Sequence, residues 1–153
     1  MVLIAHRGNT SGPNSSKENH PDYIEQALDL GYHVEIDVWR LNSKFVLGHD
    51  APQYEIDWNF LSSHHDLWCH AKNLDALSTM LNHHAYQGVV NCFWHESDTF
   101  TITSRGHIWT YPGMKVCKDS VIVCRDEKDT AYMLKQNIMG VCSDYVGTIK
   151  EER

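Results

Sequence analysis

The run Val34-Glu35-Ile36-Asp37-Val38 sets two carboxylates one residue apart in a segment rich in β-branched residues. In a strand, alternate residues share a face. Glu35 and Asp37 then project together, while Val34, Ile36 and Val38 pack the other way. Neighbouring carboxylates repel and raise a pKa unless a cation lies between them. Oxygen ligands at this spacing suit Mg²⁺, Ca²⁺ or Mn²⁺. A solvated edge strand has the same alternation, so the pair alone leaves both readings open. A chain folded back at Ser43 would bring 45–47 alongside as an antiparallel strand and set Asp37 opposite His49. An acid/base group would then stand beside the cation site. The first apolar run ends at His6-Arg7-Gly8, with Ile4 and His6 on one face, which adds a second strand-end histidine.

The elements that must position these groups alternate between strand and helix. Strands are expected at 2–6, 33–41, 45–47, 67–71, 89–95, 121–124 and 139–143, with a hairpin from 99–103 to 107–111 around Ser104-Arg105-Gly106. Pro21 suits a first helical residue, Asn19 or His20 would cap that helix, and Gly31 would end it. Further helices are expected over 74–82 and 128–136. This order predicts parallel strands with crossovers. The Trp-rich runs read as core or hairpin packing rather than a ligand box. Most of the eleven histidines, including His64-His65 and His83-His84, read as solvated surface residues.

With 153 residues, 42% of them apolar, the chain suits one domain (1–153) with a real core. Its formal charge of −7 argues against nucleic acid or anionic membrane as partner, because phosphate backbones need clustered Lys and Arg. No apolar stretch is long enough for a transmembrane helix, and the N-terminus shows no basic region followed by a long apolar segment. Five cysteines, an odd number without a C-x-x-C, read as reduced, mostly buried thiols of a cytoplasmic protein.

Taken together, His6-Arg7-Gly8, Glu18-Asn19, Glu35-x-Asp37 and Gly48-His49-Asp50 resemble the glycerophosphodiester phosphodiesterase family of the phospholipase-C-like phosphodiesterases. The dense match covers the first third of the chain. Weaker echoes lie in His70-Ala71-Lys72 and Ser143-Asp144, and the segments around Trp94 and Trp109 look like a short-chain branch of the family. The resemblance implies a TIM-barrel-like fold with the site at the C-terminal strand ends. It implies a divalent metal on Glu35 and Asp37, His6 and His49 as the general acid/base pair, and Arg7 and Lys72 on the phosphoryl oxygens. In the family's scheme, a neighbouring hydroxyl of the substrate attacks phosphorus, and water later opens the cyclic phosphate. Glu18 is read as orienting Arg7 or touching the metal shell, or as a helix-start residue favoured by the dipole.

Two departures shape the expectation. Where the family has a third carboxylate ligand, this chain has His70, which opens the site to Zn²⁺ or Fe²⁺ as well as Mn²⁺. His95 would complete the shell or be an ordinary strand-end residue. Complete (β/α)₈ barrels typically need ~200 residues or more, so the expected fold is α/β: a reduced TIM-barrel-like barrel with crossover helices missing in the second half. Dimerisation could cover the flank or edge this exposes. The expected activity is hydrolysis of a small phosphodiester, a glycerophosphodiester above all. The competing readings are a phospholipase-D-like enzyme on choline phospholipids and a non-catalytic metal or phosphate-ligand binder.

Overall fold

Strand alternation organises the molecule. The computed structural model describes residues 1–82 and 90–151, so His83-His84 and the start of the strand expected at 89–95 lie outside the described residues. Its strands are β1 (Val2–His6), β2 (His33–Leu41), β3 (Lys44–Leu47), β4 (Tyr54–Ile56), β5 (Leu67–Ala71), β6 (Asn91–Phe93), β7 (Phe100–Ile102), β8 (Ile108–Thr110), β9 (Ser120–Cys124) and β10 (Gly140–Ser143). They form one sheet in the order β4-β3-β2-β1-β10-β9-β8-β7, with β5 on the other edge of β2 and β6 beside β5. Neighbours from β6 through β5, β2, β1, β10 and β9 to β8 pair in parallel, while β3, β4 and β7 are antiparallel additions.

The expected (β/α) barrel is corrected by this topology. The sheet is mixed and curls into a half-barrel, with five short α-helices among the described residues. These are α1 (Pro21–Asp29), α2 (Trp58–Ser63), α3 (Leu74–Asn82), α4 (Thr130–Met133) and α5 (Val146–Glu151). The physical reason is that β6, β7, β8 and β9 follow one another through turns and loops, with no room for helices. Single hydrogen bonds, such as Ser104 N to the Cys92 carbonyl (2.8 Å), tie β6 to the β7–β8 hairpin where a closed barrel would need a ladder. The helix expected over 128–136 is a 3₁₀ turn (Glu127–Asp129) followed by one turn of α-helix. β4, α2 and α5 carry no strong period and were not expected.

Both faces of the parallel core are buried, as parallel strands require. Val34, Ile36 and Val38 are fully buried on the outer face, against Ile24 and Ala27 of α1 and Ala76 and Met80 of α3. The concave face is filled at depth by Ile4, Trp68, Phe93, Trp109, Val121 and Cys142. The five cysteines are free, four of them buried and Cys117 exposed. No helix among the described residues is long and apolar enough to cross a membrane.

The β2–β3 hairpin differs from expectation by one residue. Asn42 and Ser43 both have positive φ (49° and 65°) and form the two centre residues of the turn. This is the dihedral signature of a type I′ hairpin, which matches strand twist. Leu41 then pairs with Lys44 and Val38 with Leu47, so Asp37 stands opposite Gly48, whose N–H donates to the Asp37 carbonyl at 3.1 Å. His49 falls one position beyond, because side chains alternate and a single-residue slip changes which one faces a partner.

Candidate metal and acid/base site

Parallel register brings the chemistry together. His6 of β1 pairs with Glu35 of β2, and Asp37 of β2 pairs with His70 of β5. All four side chains therefore rise from adjacent strands on the concave face. The C-terminal ends of parallel strands are where open α/β sheets bind ligands. A cleft of about 610 Å³ opens over these ends.

Glu35 is 3% exposed and Asp37 fully buried. Together with His70 they present ligand atoms that all lie within 4.8 Å of one another. Two ligands of one Mg²⁺, Mn²⁺ or Ca²⁺ stand at most roughly 4–5 Å apart, given metal–oxygen bonds of ~2.0–2.6 Å. His70 Nε2 donates to the His95 carbonyl at 3.0 Å. That hydrogen bond leaves Nδ1 bare in the neutral ring, and Nδ1 lies 3.2 Å from Asp37 Oδ1 and 3.8 Å from Glu35 Oε1. Lone pairs facing one another at this range need either a proton on Nδ1 or a metal ion between them, and a backbone carbonyl that fixes the far nitrogen is the usual support of a ligating histidine. Asp37 Oδ1 and Glu35 Oε2 are buried with no hydrogen bond assigned to them; His70 Nδ1 and Lys72 Nζ stand 3.2 Å and 3.5 Å from Asp37 Oδ1 as charge partners. The residues thus fit one divalent ion, by position and by unspent donor capacity.

Burial, then the Asp37 charge, pushes the Glu35 carboxyl up, against the pull of His6, His70 and Arg7. Burial also works to raise Asp37, but His70, Arg7 and Asn19 outweigh it and hold this carboxyl well below the usual range. Asn19 grips Asp37 twice: its side-chain amide donates to Oδ2 and its oxygen accepts from the Asp37 backbone N–H, both at 2.9 Å.

Arg7 Nε lies 3.1 Å from Asp37 Oδ2 and its Nη1 donates to Glu18 at 3.0 Å. Glu18 therefore orients Arg7 and stands apart from the ligand atoms. Arg7 itself adopts a left-handed backbone (φ 54°) before Gly8 (φ 90°), where an added Cβ would come within 2.8 Å of Tyr23. Strain of this kind collects at functional sites. Here it sends the guanidinium back over β2. Burial would lower the Arg7 pKa, but Glu35, Asp37 and Glu18 raise it.

His6 Nδ1 bonds Asp144 Oδ1 at 2.9 Å, leaving Nε2 toward Glu35 Oε2 at 3.9 Å. Burial works to lower the His6 pKa; the Asp144 hydrogen bond and the Glu35 charge overcome it and raise it. Asp144 is lowered in turn: His6 and the Asn9 amide, which donates at 2.8 Å, prevail over burial.

The structure gathers His6, Arg7, Glu35, Asp37, His70 and Lys72. It places His49 at the cleft wall with Nδ1 bonded to Asp50 at 2.7 Å, away from the carboxylates. His95 supplies its carbonyl to His70, while its ring bonds Asp98 at 2.7 Å, so it is a support and adds no ligand atom to the cluster. Sequence reasoning missed the supporting roles of Asn9, Asn19 and Asp144, and it missed Arg125, which lines the cleft beyond β9. The adjacency of Asn19 to Glu18, and of Asp144 to the end of the last strand, were the signals available. No protein-family model matches this chain, and no curated protein matches it.

Proposed function

We propose that this cleft hydrolyses a small phosphodiester with the help of one divalent cation held by Glu35, Asp37 and His70. The observation that carries the reading is the meeting of two buried, incompletely satisfied carboxylates with a bare His70 Nδ1, beside a histidine held by its own aspartate. Charge supports it too. Glu18, Glu35, Asp37 and Asp144 outnumber Arg7, Lys72 and a protonated His6. Only with a divalent ion does the site gain the positive balance an anionic diester needs. The motif resemblance to the glycerophosphodiester phosphodiesterases points the same way, with His70 making the ligand set softer and Mn²⁺, Zn²⁺ or Fe²⁺ as apt as Mg²⁺ or Ca²⁺.

The bound ion would supply charge neutralisation at the phosphoryl group. The chain's own residues do the rest. Arg7, preset by Glu18, orients the phosphoryl oxygens, and Lys72 adds a point charge. Asp144 keeps the His6 proton on Nδ1 when the ring is neutral, so Nε2 is the atom that takes or gives a proton. In the productive direction Nε2–H passes its proton to the leaving alcohol. His49, on the cleft wall, is the candidate to take the proton of the attacking hydroxyl or water.

A second reading has one observation in its favour. His49 is bonded to Asp50 rather than to the carboxylates, which suits a metal-dependent phosphate binder without turnover. A hydrolysis assay on a panel of phosphodiesters, with each divalent metal in turn, separates the two. Wild type turns over at least one diester only with metal, and His6→Ala loses about 10²-fold or more. Silence with every metal, alongside tight metal binding, would favour the binder.

A further inference from the structure

Beyond the carboxylates, the cleft is walled by Trp109, Tyr111, Pro112 and Arg125. Tyr111 follows β8 and Arg125 follows β9, which are neighbours in the sheet. The Arg125 guanidinium lies over the Tyr111 ring, 5.3 Å from its centroid. The cations at the other end of the cleft are matched by carboxylates: Arg7 by Glu18 and Asp37, Lys72 by Asp37. Arg125 is exposed, and among the described residues no carboxylate lies within ion-pair distance of it. A guanidinium seated on an aromatic face keeps its N–H fork free for a carboxylate or phosphate.

We propose that Arg125, steadied by Tyr111, is a distal anion subsite, and that the preferred substrate's alcohol carries a second negative group, a phosphate monoester or a carboxylate. This rests on the phosphodiester reading above. A quaternary-ammonium alcohol is the contrary case. It would be recognised by an open aromatic face, whereas the guanidinium already lies over Tyr111 and would repel it. A neutral alcohol leaves the fork without a partner. Glu96, which lines the cleft beyond β6, is the group that would favour a cationic alcohol instead.

The test is a series of phosphodiesters that differ only in the alcohol: glycerol, a carboxylate-bearing alcohol, a phosphate-bearing alcohol and choline. Wild type should favour the anionic alcohols over glycerol by about tenfold in kcat/KM, carried by KM, the worth of a charge-assisted hydrogen bond at an exposed site. Arg125→Ala should bring that ratio toward one, and Arg125→Lys should keep part of it. Each ratio is taken within one variant, so a folding defect cancels. The better of the two anionic alcohols names the second group. Equal use of glycerol and anionic alcohols by wild type, a preference for choline, or a preference that survives in Arg125→Ala overturns the subsite. Should no diester be hydrolysed, the hydrolase reading fails separately. Calorimetric binding of propane-1,3-diyl bisphosphate against propyl phosphate then decides. An advantage for the bisphosphate that Arg125→Ala removes supports the subsite, and equal binding overturns it.

Discussion

Glu35 and Asp37 are one residue apart, yet their surroundings separate them. Glu35 is raised by burial and by its neighbour, while Asp37 is held down by His70, Arg7 and Asn19. Removing the Glu35 charge therefore relieves a repulsion, whereas removing Asp37 leaves Arg7, Lys72 and Asn19 without their shared partner. In metal-free buffer, Glu35→Gln is expected to be neutral or stabilising by about 1 kcal/mol, and Asp37→Ala to cost about 3 kcal/mol, in urea unfolding. Equal losses from both would contradict this division. The His6–Asp144 pair gives a pH signature. His6 is raised above its unfolded value of ~6.5, so its contribution is full below that and fades as pH rises through the folded value. Asp144 is lowered, so its contribution is present above ~3.9 and fades as pH falls through the folded value. The stability gap between wild type and Asp144→Asn should peak at about 1 kcal/mol near pH 5–6 and shrink on both sides. A gap that keeps growing toward pH 9 would show that the pairing does not work through the imidazolium.

At the scale of elements, the β2–β3 turn decides which residue faces Asp37. The alternation of Val34, Ile36 and Val38 against Glu35 and Asp37 was legible because a strand has period two and both faces are buried here. The register was not, because Asn-Ser is a weaker turn signal than Asn-Gly and a centre at Ser43 differs from one between Asn42 and Ser43 by one pairing. Ser43 pays for its left-handed φ of 65°. Ser43→Gly is expected to stabilise the protein by about 0.5 kcal/mol, read as a higher urea midpoint. Destabilisation instead would mean that the Ser43 side chain supports the turn. Gly48 is constrained in the opposite way: at φ 150° an added Cβ would collide with the Ala51 carbonyl oxygen. Gly48→Ala should cost about 1–3 kcal/mol and displace His49. A fully active, fully stable Gly48→Ala protein would remove His49 from the account.

For the whole molecule, the parallel core and two of its helical crossovers could be read from pattern: 21–29 and 74–82 carry caps or periods, and the strand at 67–71 is a buried run. The β7–β8 hairpin was legible from its Ser104-Arg105-Gly106 turn and pairs antiparallel as expected, but the curled, mixed sheet was not, because β4 is three residues long, too short for periodicity to declare a partner, and a hairpin's pattern does not show where it docks. The site was half legible for the same reason. Residues on one strand, Glu35 and Asp37, announce each other through spacing. Asp144 meets His6 and Asn9 only through long-range pairing, which one sequence does not display. A metal that closes this sheet around Glu35, Asp37 and His70 should also stabilise it. At a hundred times its Kd, binding adds about 2.7 kcal/mol, so chelation should lower Tm by several degrees in wild type and leave Asp37→Ala unmoved. Metal-assisted hydrolysis at Asp37 is tested by the rate of phosphodiester hydrolysis across a Mn²⁺ titration, wild type against Asp37→Ala. Wild type should show saturable, Mn²⁺-dependent turnover, and Asp37→Ala essentially none at any Mn²⁺ concentration. Turnover that ignores Mn²⁺, or that persists undiminished in Asp37→Ala, would contradict metal-assisted hydrolysis at this site.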